Sequence, residues 1–239
     1  MLPSTKKVAL VRKYNRSISN LKKEVTQAGF QYVTQKPDFV ISVGGDGTFF
    51  FAERKYPGVP KIMVRESQVC EKCNEGTLNE LLIRYRKGFF KIKEYFKLES
   101  VVKRKKGASF RVIAANDVIL RNKVLTRALR FSVSINNKIV DSEVIGDGIV
   151  FSSPFGATAY FKSITRQTFT RGIGIAFNNT TKLLNNIIVK ENAKIKITLL
   201  RENADLGFDN DPKTYTLHEG DTIMIQKSKK VSRIISIIC

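Results

Sequence analysis

Asp38-Phe39-Val40-Ile41-Ser42-Val43 runs straight into Gly44-Gly45-Asp46-Gly47-Thr48. The first six residues are mostly apolar and rich in β-branched side chains, the composition of a buried strand. The glycines after them can take φ > 0 and let an anion approach the backbone closely. A helix is predicted from Thr48 to about Tyr56, and a helix N-terminus presents free N–H groups and a positive dipole end. Gly44, Gly45, Gly47 and Thr48 are therefore the candidate phosphate-binding residues. A carboxylate in such a loop repels phosphate, so Asp46 has another task. It either accepts a proton from a hydroxyl nucleophile or helps to hold a magnesium ion. The pattern reads as phosphoryl transfer to an alcohol; the alternative is a glycine-rich turn that merely reverses the chain.

Around this stretch the first half alternates strands and helices. Lys7 to Val11 is a short strand candidate, and Ser17 is a plausible N-cap for a helix over Ile18 to Ala28 that Gly29 would stop. Phe30 to Thr34 and Val59 to Val64 read as further strands. Gly76 to Lys87 reads as a helix with Leu78, Leu81, Leu82 and Tyr85 on one face. This rhythm predicts an α/β N-terminal domain with a Rossmann-like sheet over residues 1–90.

The pattern changes near residue 90. Strand-like segments follow at Lys91 to Val102, Ser109 to Leu120, Leu129 to Ile135, Lys138 to Glu143, Gly148 to Phe151, Ala193 to Leu200, Tyr215 to Leu217 and Thr222 to Gln226. Turn signals such as Asn136-Asn137 and Glu219-Gly220-Asp221 separate them. Only Ala157 to Thr165 reads as helix. Residues 91–230 are predicted to form a β-rich, sandwich-like domain. Val231 to Cys239 is apolar enough to dock as a C-terminal strand that returns to the first domain.

The 239 residues are 42% hydrophobic, which excludes a disordered chain. The longest apolar runs fall far short of the roughly 20 residues that span a bilayer. With no secretory signal either, the expectation is a cytoplasmic protein without membrane contacts. A formal net charge of +21 attracts anions such as nucleotides, polyphosphate and nucleic acid. The cluster Lys103-Arg104-Lys105-Lys106 motivates a basic nucleic-acid-binding alternative, but no such motif is present, and charge alone gives only nonspecific binding. Cys70, Cys73 and Cys239 are an odd count that argues against a disulfide framework. Cys70-Glu71-Lys72-Cys73 has zinc-ligand spacing, yet only His218 and Cys239 could complete a site, so no bound metal is predicted. The pair reads as ordinary thiols or as a redox couple.

The glycine loop is shared by a superfamily of small-molecule kinases that includes NAD kinases, diacylglycerol and sphingosine kinases and, more loosely, phosphofructokinases. Two further segments choose among them. Ala114-Ala115-Asn116-Asp117-Val118-Ile119-Leu120 resembles the NAD kinase segment that carries an Asn-Glu pair. Gly146-Asp147-Gly148-Ile149-Val150-Phe151-Ser152-Ser153-Pro154-Phe155-Gly156-Ala157-Thr158-Ala159-Tyr160 resembles the family's Asp-Gly strand, Ser-Thr-Pro, glycine turn and Thr-Ala-Tyr. Lipid kinases lack both, although a lipid or sugar kinase is the alternative within the superfamily. Asn116 offers a donor and an acceptor, and Asp117 suits ribose hydroxyls.

The resemblance implies that Asp46 is the base for the adenosine ribose 2′-hydroxyl of NAD, with Gly47 beside the substrate. It assigns Asn116, Asp117, Arg127, Asp147, Thr158, Ala159, Tyr160 and Ser163 to NAD binding. It also implies ATP or polyphosphate as donor, a divalent cation such as Mg2+, and a homo-oligomer, either dimer or tetramer. The sequence departs from the family in several places. The Asn-Glu pair is Asn116-Asp117, the Gly-Gly after Tyr160 is replaced by Phe161-Lys162, and Ile145 stands where a basic residue is common. Cys70 to Leu78 replaces a Gly-x-Leu-Gly-Phe segment. Phe208-Asp209-Asn210-Asp211 lies where the family has an aspartate-containing substrate loop, in an open register.

Overall fold

The computed structural model describes residues 5–13, 16–66 and 70–238. The chain divides into two compact units: Met1–Glu94 together with Ser232–Cys239, and Tyr95–Val231. No helix among the described residues is long and apolar enough to cross a membrane.

The first unit is a parallel sheet. Strands β1 (Lys7–Arg12), β2 (Gln31–Tyr32), β3 (Phe39–Gly44) and β4 (Lys61–Arg65) lie in the order β4-β3-β1-β2. Beyond β4 the sheet gains one more parallel strand, the end of β15 (Thr222–Ile237), with Ile234 opposite Lys61 and Ile235 opposite Ile62. Cys239 lies outside the described residues. Every residue of β3 is buried, as expected of a central parallel strand covered on both faces. Phe39, Ile41 and Val43 face α1 (Ser19–Gln27) and α3 (Leu78–Arg86) in one core. Val40 faces the other way, onto Ala52 and Tyr56 of α2 and its C-cap (Asp46–Lys55). From β1 the chain goes out to β2, and β3 then lies on the opposite side of β1. The strand order therefore reverses between β1 and β3, and ligands of open α/β sheets bind off the carboxyl ends of strands at such a point. The Gly44–Thr48 loop leaves β3 there.

Two helix ends differ from expectation. Ser17 does not cap α1: the N-cap is Ile18, and Ser17 Oγ accepts from Ser19 N at 3.3 Å. Thr77, by contrast, forms a reciprocal capping box with Glu80 at the start of α3. Helix α2 also carries the buried ion pair of Glu53 with Lys61 of β4. Lys61 Nζ donates to Tyr56 O at 2.6 Å and Glu53 Oε1 accepts from Gly58 N at 2.8 Å, so both charges are further hydrogen-bonded.

The second unit is β-rich. It contains most of β5 (Phe90–Lys103), then β6 (Phe110–Ala114), β7 (Asp117–Asn122), β8 (Leu129–Ile135), β9 (Lys138–Ser152), β10 (Ile173–Thr180), β11 (Ile187–Val189), β12 (Ile195–Arg201), β13 (Ala204–Phe208), β14 (Tyr215–Leu217) and the start of β15. Their inward residues share one core, with Val118, Phe131, Phe151, Ile175 and Ile197 fully buried. Lys138 to Glu143 and Gly148 to Phe151 are not two strands but parts of one, β9. A Cβ on Gly146 would lie 2.8–3.0 Å from Thr180 and Asn179 atoms of β10, so this glycine allows close approach instead of a turn. The span Ser109 to Leu120 is conversely not one strand: it breaks at Ala115-Asn116. The helix expected over Ala157 to Thr165 is a 3-10 turn at Gly156–Thr158 followed by α4 (Tyr160–Thr165), because Ala159 leaves helical geometry at φ −100°, ψ −121°.

Candidate active site

In the first unit the glycine loop is held by close packing. Gly44 has φ +155°, and a Cβ there would come within 2.2 Å of Thr48 Oγ1. That hydroxyl is buried with no hydrogen-bond partner. Gly45 is the extended N-cap of α2 and supplies no side-chain cap. Thr48 N and Phe49 N bond back to Gly45 O at 3.0 and 3.2 Å. The N–H groups of Asp46 and Gly47 precede those bonds and have no partner within the helix, which is the anion-receptive arrangement. The helix starts at Asp46 rather than at Thr48, so Asp46 lies in its first turn.

Burial pushes the Asp46 carboxyl up, and Glu71 pushes the same way while Lys72 opposes both. A raised carboxylate is a stronger base than a surface aspartate. Cys70 and Cys73 are joined by a disulfide, which corrects the reading of them as ordinary thiols. Cys70 Sγ lies 3.7 Å from Asp46 Oδ1 and Cys73 Sγ lies 3.9 Å from Gly44 O. Neither sulfur carries a proton, so both are contacts without a hydrogen bond. No group of three or more His, Cys, Asp or Glu side chains among the described residues could hold a metal ion. A cation here would depend mostly on phosphate oxygens of a substrate.

In the second unit three segments distant in sequence meet at the break between β6 and β7. The Asp209 carboxylate accepts from Ala115 N at 3.0 Å and from Asn116 N at 2.7 Å. Asp209 N in turn donates to Asp117 O at 3.0 Å. From the other direction Ser153 Oγ donates to Ala115 O at 2.6 Å and Ser153 N donates to Asn116 O at 2.9 Å. A Cβ on Gly156 would lie 2.4 Å from Asn116 O and 2.6 Å from Asn116 Oδ1, so only glycine admits this approach. The break is thus a fixed corner. At it, Asn116 Nδ2 donates to Asp117 Oδ2 at 2.9 Å, while Asp117 Oδ1 is buried without a partner. Burial pushes the Asp117 carboxyl up to about 7, Asp209 adds to this and the Asn116 bond opposes it. An unpartnered buried carboxyl oxygen beside a fixed amide is suited to a pair of ligand hydroxyls.

The remaining predicted residues are dispersed. Thr158 closes the 3-10 turn after Gly156, Ala159 links it to α4, and Tyr160 starts that helix. Tyr160 packs with Ile119, Val150 and Phe161, and its hydroxyl accepts from Arg121 Nη1 at 2.8 Å. Ser163 Oγ donates back to Tyr160 O at 2.8 Å. Asp147 accepts from Asn179 Nδ2 at 2.9 Å. Arg127 is exposed and pairs with Glu202 at 3.5 Å.

Two residues of this cluster were not singled out with a role from the sequence. Asp209 was visible only as an aspartate in an open register, and no spacing links it to Ala115. Arg121 had a signal: Asp117, Ile119 and Arg121 share one face of β7 by strand alternation.

A half-buried carboxylate in the first turn of a helix, at the carboxyl end of a parallel strand, fits a phosphotransferase acting on an alcohol group, and the relatives make that the class of this protein. Comparison with known proteins gives the family. The family model described as ATP-NAD kinase C-terminal domain matches residues 115–237, more than half of the chain. The NAD kinase of Thermoanaerobacter sp. (strain X514) is 27% identical over 215 residues, covering 86% of this chain and 75% of that protein. The fold is similar to the crystal structure of yeast NADH kinase complexed with NADH, with a TM-score of 0.82 at 15% identity, over 97% of this chain and 83% of that one. It is also similar to an NAD kinase from Archaeoglobus fulgidus in complex with ATP, with a TM-score of 0.78 at 16% identity, over 95% and 92% of the two chains. The chain belongs to the NAD kinase family.

Proposed function

We propose that the protein phosphorylates the adenosine ribose 2′-hydroxyl of NAD to give NADP. The observation that carries this reading is Asp46: a carboxylate with raised proton affinity, in the first turn of α2, at the end of the all-buried strand β3. The 2′-oxygen attacks the terminal phosphorus of the donor, and Asp46 takes the hydroxyl proton. The bond from that phosphorus to the bridging oxygen breaks, and the shortened donor leaves with the electron pair. Gly44, Gly45, Gly47 and Thr48 receive the donor phosphates. Asn116 and Asp117 hold the ribose hydroxyls, the latter through its unpartnered Oδ1. Thr158, Ala159, Tyr160 and Ser163 line the dinucleotide, with Arg127 and Asp147 as outer polar contacts.

The Archaeoglobus fulgidus NAD kinase structure is a complex with ATP, which supports ATP as donor, and the net charge of +21 suits polyphosphate equally. A divalent cation such as Mg2+ would arrive with the phosphates and screen their charge. The protein would work in the cytoplasm as a homo-oligomer. The test is to incubate it with NAD and Mg2+, offering ATP and polyphosphate separately, and to measure NADP. NADP from either donor supports the reading and identifies the donor. No NADP from either, with diacylglycerol phosphorylated instead, overturns it.

A further inference from the structure

The segment Cys70-Glu71-Lys72-Cys73 stands where the family resemblance leads one to expect glycines and apolar residues, and it lies against the catalytic loop. Its disulfide closes a loop of very few residues, the case in which cross-linking constrains the unfolded chain least. Folding stability is therefore a weak reason for it. Its placement gives a stronger one. One sulfur touches the Asp46 carboxylate and the other touches the carbonyl of Gly44. Both partners are acceptors, and in the disulfide both sulfurs offer them only lone pairs.

The segment is also fixed independently of the S–S bond. Arg65 Nη2 donates to Cys70 O at 2.7 Å. Asn74 donates through Nδ2 to Met63 O at 3.2 Å and to Ile235 O at 3.0 Å, and its Oδ1 accepts from Ile237 N at 2.8 Å. Opening the disulfide thus leaves the backbone on either side held while the two sulfurs separate to van der Waals contact, and it changes what they carry. Each becomes a thiol whose short side chain still reaches its acceptor, so that S–H can donate, Cys70 to Asp46 and Cys73 to Gly44. A donor to the ionised carboxylate favours that form.

We propose that Cys70 and Cys73 are a thiol–disulfide exchange site whose redox state sets the proton affinity of the catalytic base Asp46. This rests on the role given to Asp46 above. The co-reactant is a dithiol, of a protein or of a small molecule. Its thiolate attacks the half-buried Cys73 Sγ, since Cys70 is only 2% exposed. The Cys70–Cys73 bond breaks, and Cys70 leaves as a thiolate and takes up a proton. The second thiolate of the dithiol then attacks its own sulfur in the mixed disulfide. Cys73 is released as the second thiol and the dithiol becomes a disulfide. Two electrons and two protons have entered the segment. In the disulfide state Asp46 holds its proton more tightly; in the dithiol state the new S–H donor releases it at lower pH.

The test titrates the Asp46 carboxyl carbon by NMR in the full chain, labelled with 13C-aspartate and assigned with Asp46→Asn. Samples are oxidised or reduced with dithiothreitol, and alkylatable thiols are counted in each. Reduction is expected to raise the thiol count by two and to lower the Asp46 midpoint by about one pH unit. The acid limb of the kcat profile should move by the same amount. An unchanged midpoint, or an unchanged thiol count, overturns the proposal. Cys73→Ser should show the reduced-like midpoint with and without dithiothreitol, and a midpoint that still responds also overturns it. A midpoint that moves in a protein that makes no NADP supports the redox link and defeats only the functional reading on which it rests.

Discussion

The two clusters hold their carboxylates in opposite ways. In the first unit one contiguous stretch, Gly44 to Thr48, supplies the strand end, the close-packed glycine, the helix start and the proposed base. In the second unit the corner at Asn116-Asp117 needs Ser153, Gly156 and Asp209 from elsewhere in the chain. A contiguous site depends on backbone geometry, whereas an assembled one depends on tertiary contacts that can be removed singly. Substitutions in the first should act on turnover, and substitutions in the second on substrate affinity.

Asp46→Asn gives the largest effect on that view. It keeps shape and removes the base, so kcat should fall by roughly 10²–10⁴ with KM for NAD little changed. A folded variant with full turnover would remove Asp46 from the chemistry. Glu53→Gln tests the frame beneath the loop. It removes the Glu53 charge from beside the buried Lys61 ammonium, at a cost of about 3–5 kcal/mol in denaturant unfolding. A loss below about 1 kcal/mol would mean that the pair does not brace α2.

Asp209→Asn addresses the corner. One of its two acceptor oxygens becomes a donor facing a backbone N–H, a loss of about 1.5–3 kcal/mol for a charged hydrogen bond. KM for NAD should rise by roughly ten- to a hundredfold with a smaller change in kcat. The opposite split, kcat down at constant KM, would erase the distinction between the clusters. The last test is of pH dependence. Burial pushes the Asp117 carboxyl up to about 7 in the folded chain, far above its ordinary value of 3.8. The folded state thus keeps a proton that the unfolded state has lost between about pH 4 and 7. Stability should fall as pH rises through that window, by at most about 1.4 kcal/mol per pH unit, and level off above 7. Asp117→Asn should flatten that slope, and an unchanged slope would assign it to another group.

The same contrast explains what could be read in advance. Strand β3 was legible because six consecutive residues are buried, which leaves an uninterrupted apolar run. The α3 helix was legible from Leu78, Leu81 and Leu82 at helical spacing. Asn116-Asp117 was legible as a motif but was placed inside a continuous strand, because nothing local shows that Asp209 and Ser153 take over its backbone bonds. Strand β10 is absent from the strand segments read in the sequence; a Cβ on its Gly174 would lie 2.4 Å from the Phe169 ring, so this glycine is explained by packing that no local pattern shows. Local chemistry predicts local sites, and glycines kept for close approach look the same in sequence as glycines kept for turning.

The closing strand of the first unit has a consequence for synthesis. Asn74 braces Ile235, which comes 161 residues later in the chain. Until the ribosome has made residues 232–237, β4 presents a bare edge, with unpaired backbone groups and the apolar side chains of Ile62 and Val64. Exposed edges of that kind invite pairing with other chains. The usual vectorial order, in which an N-terminal domain completes itself first, is therefore closed to this protein. Its nascent chain therefore completes the sheet of the first unit only after the β-rich unit has been translated.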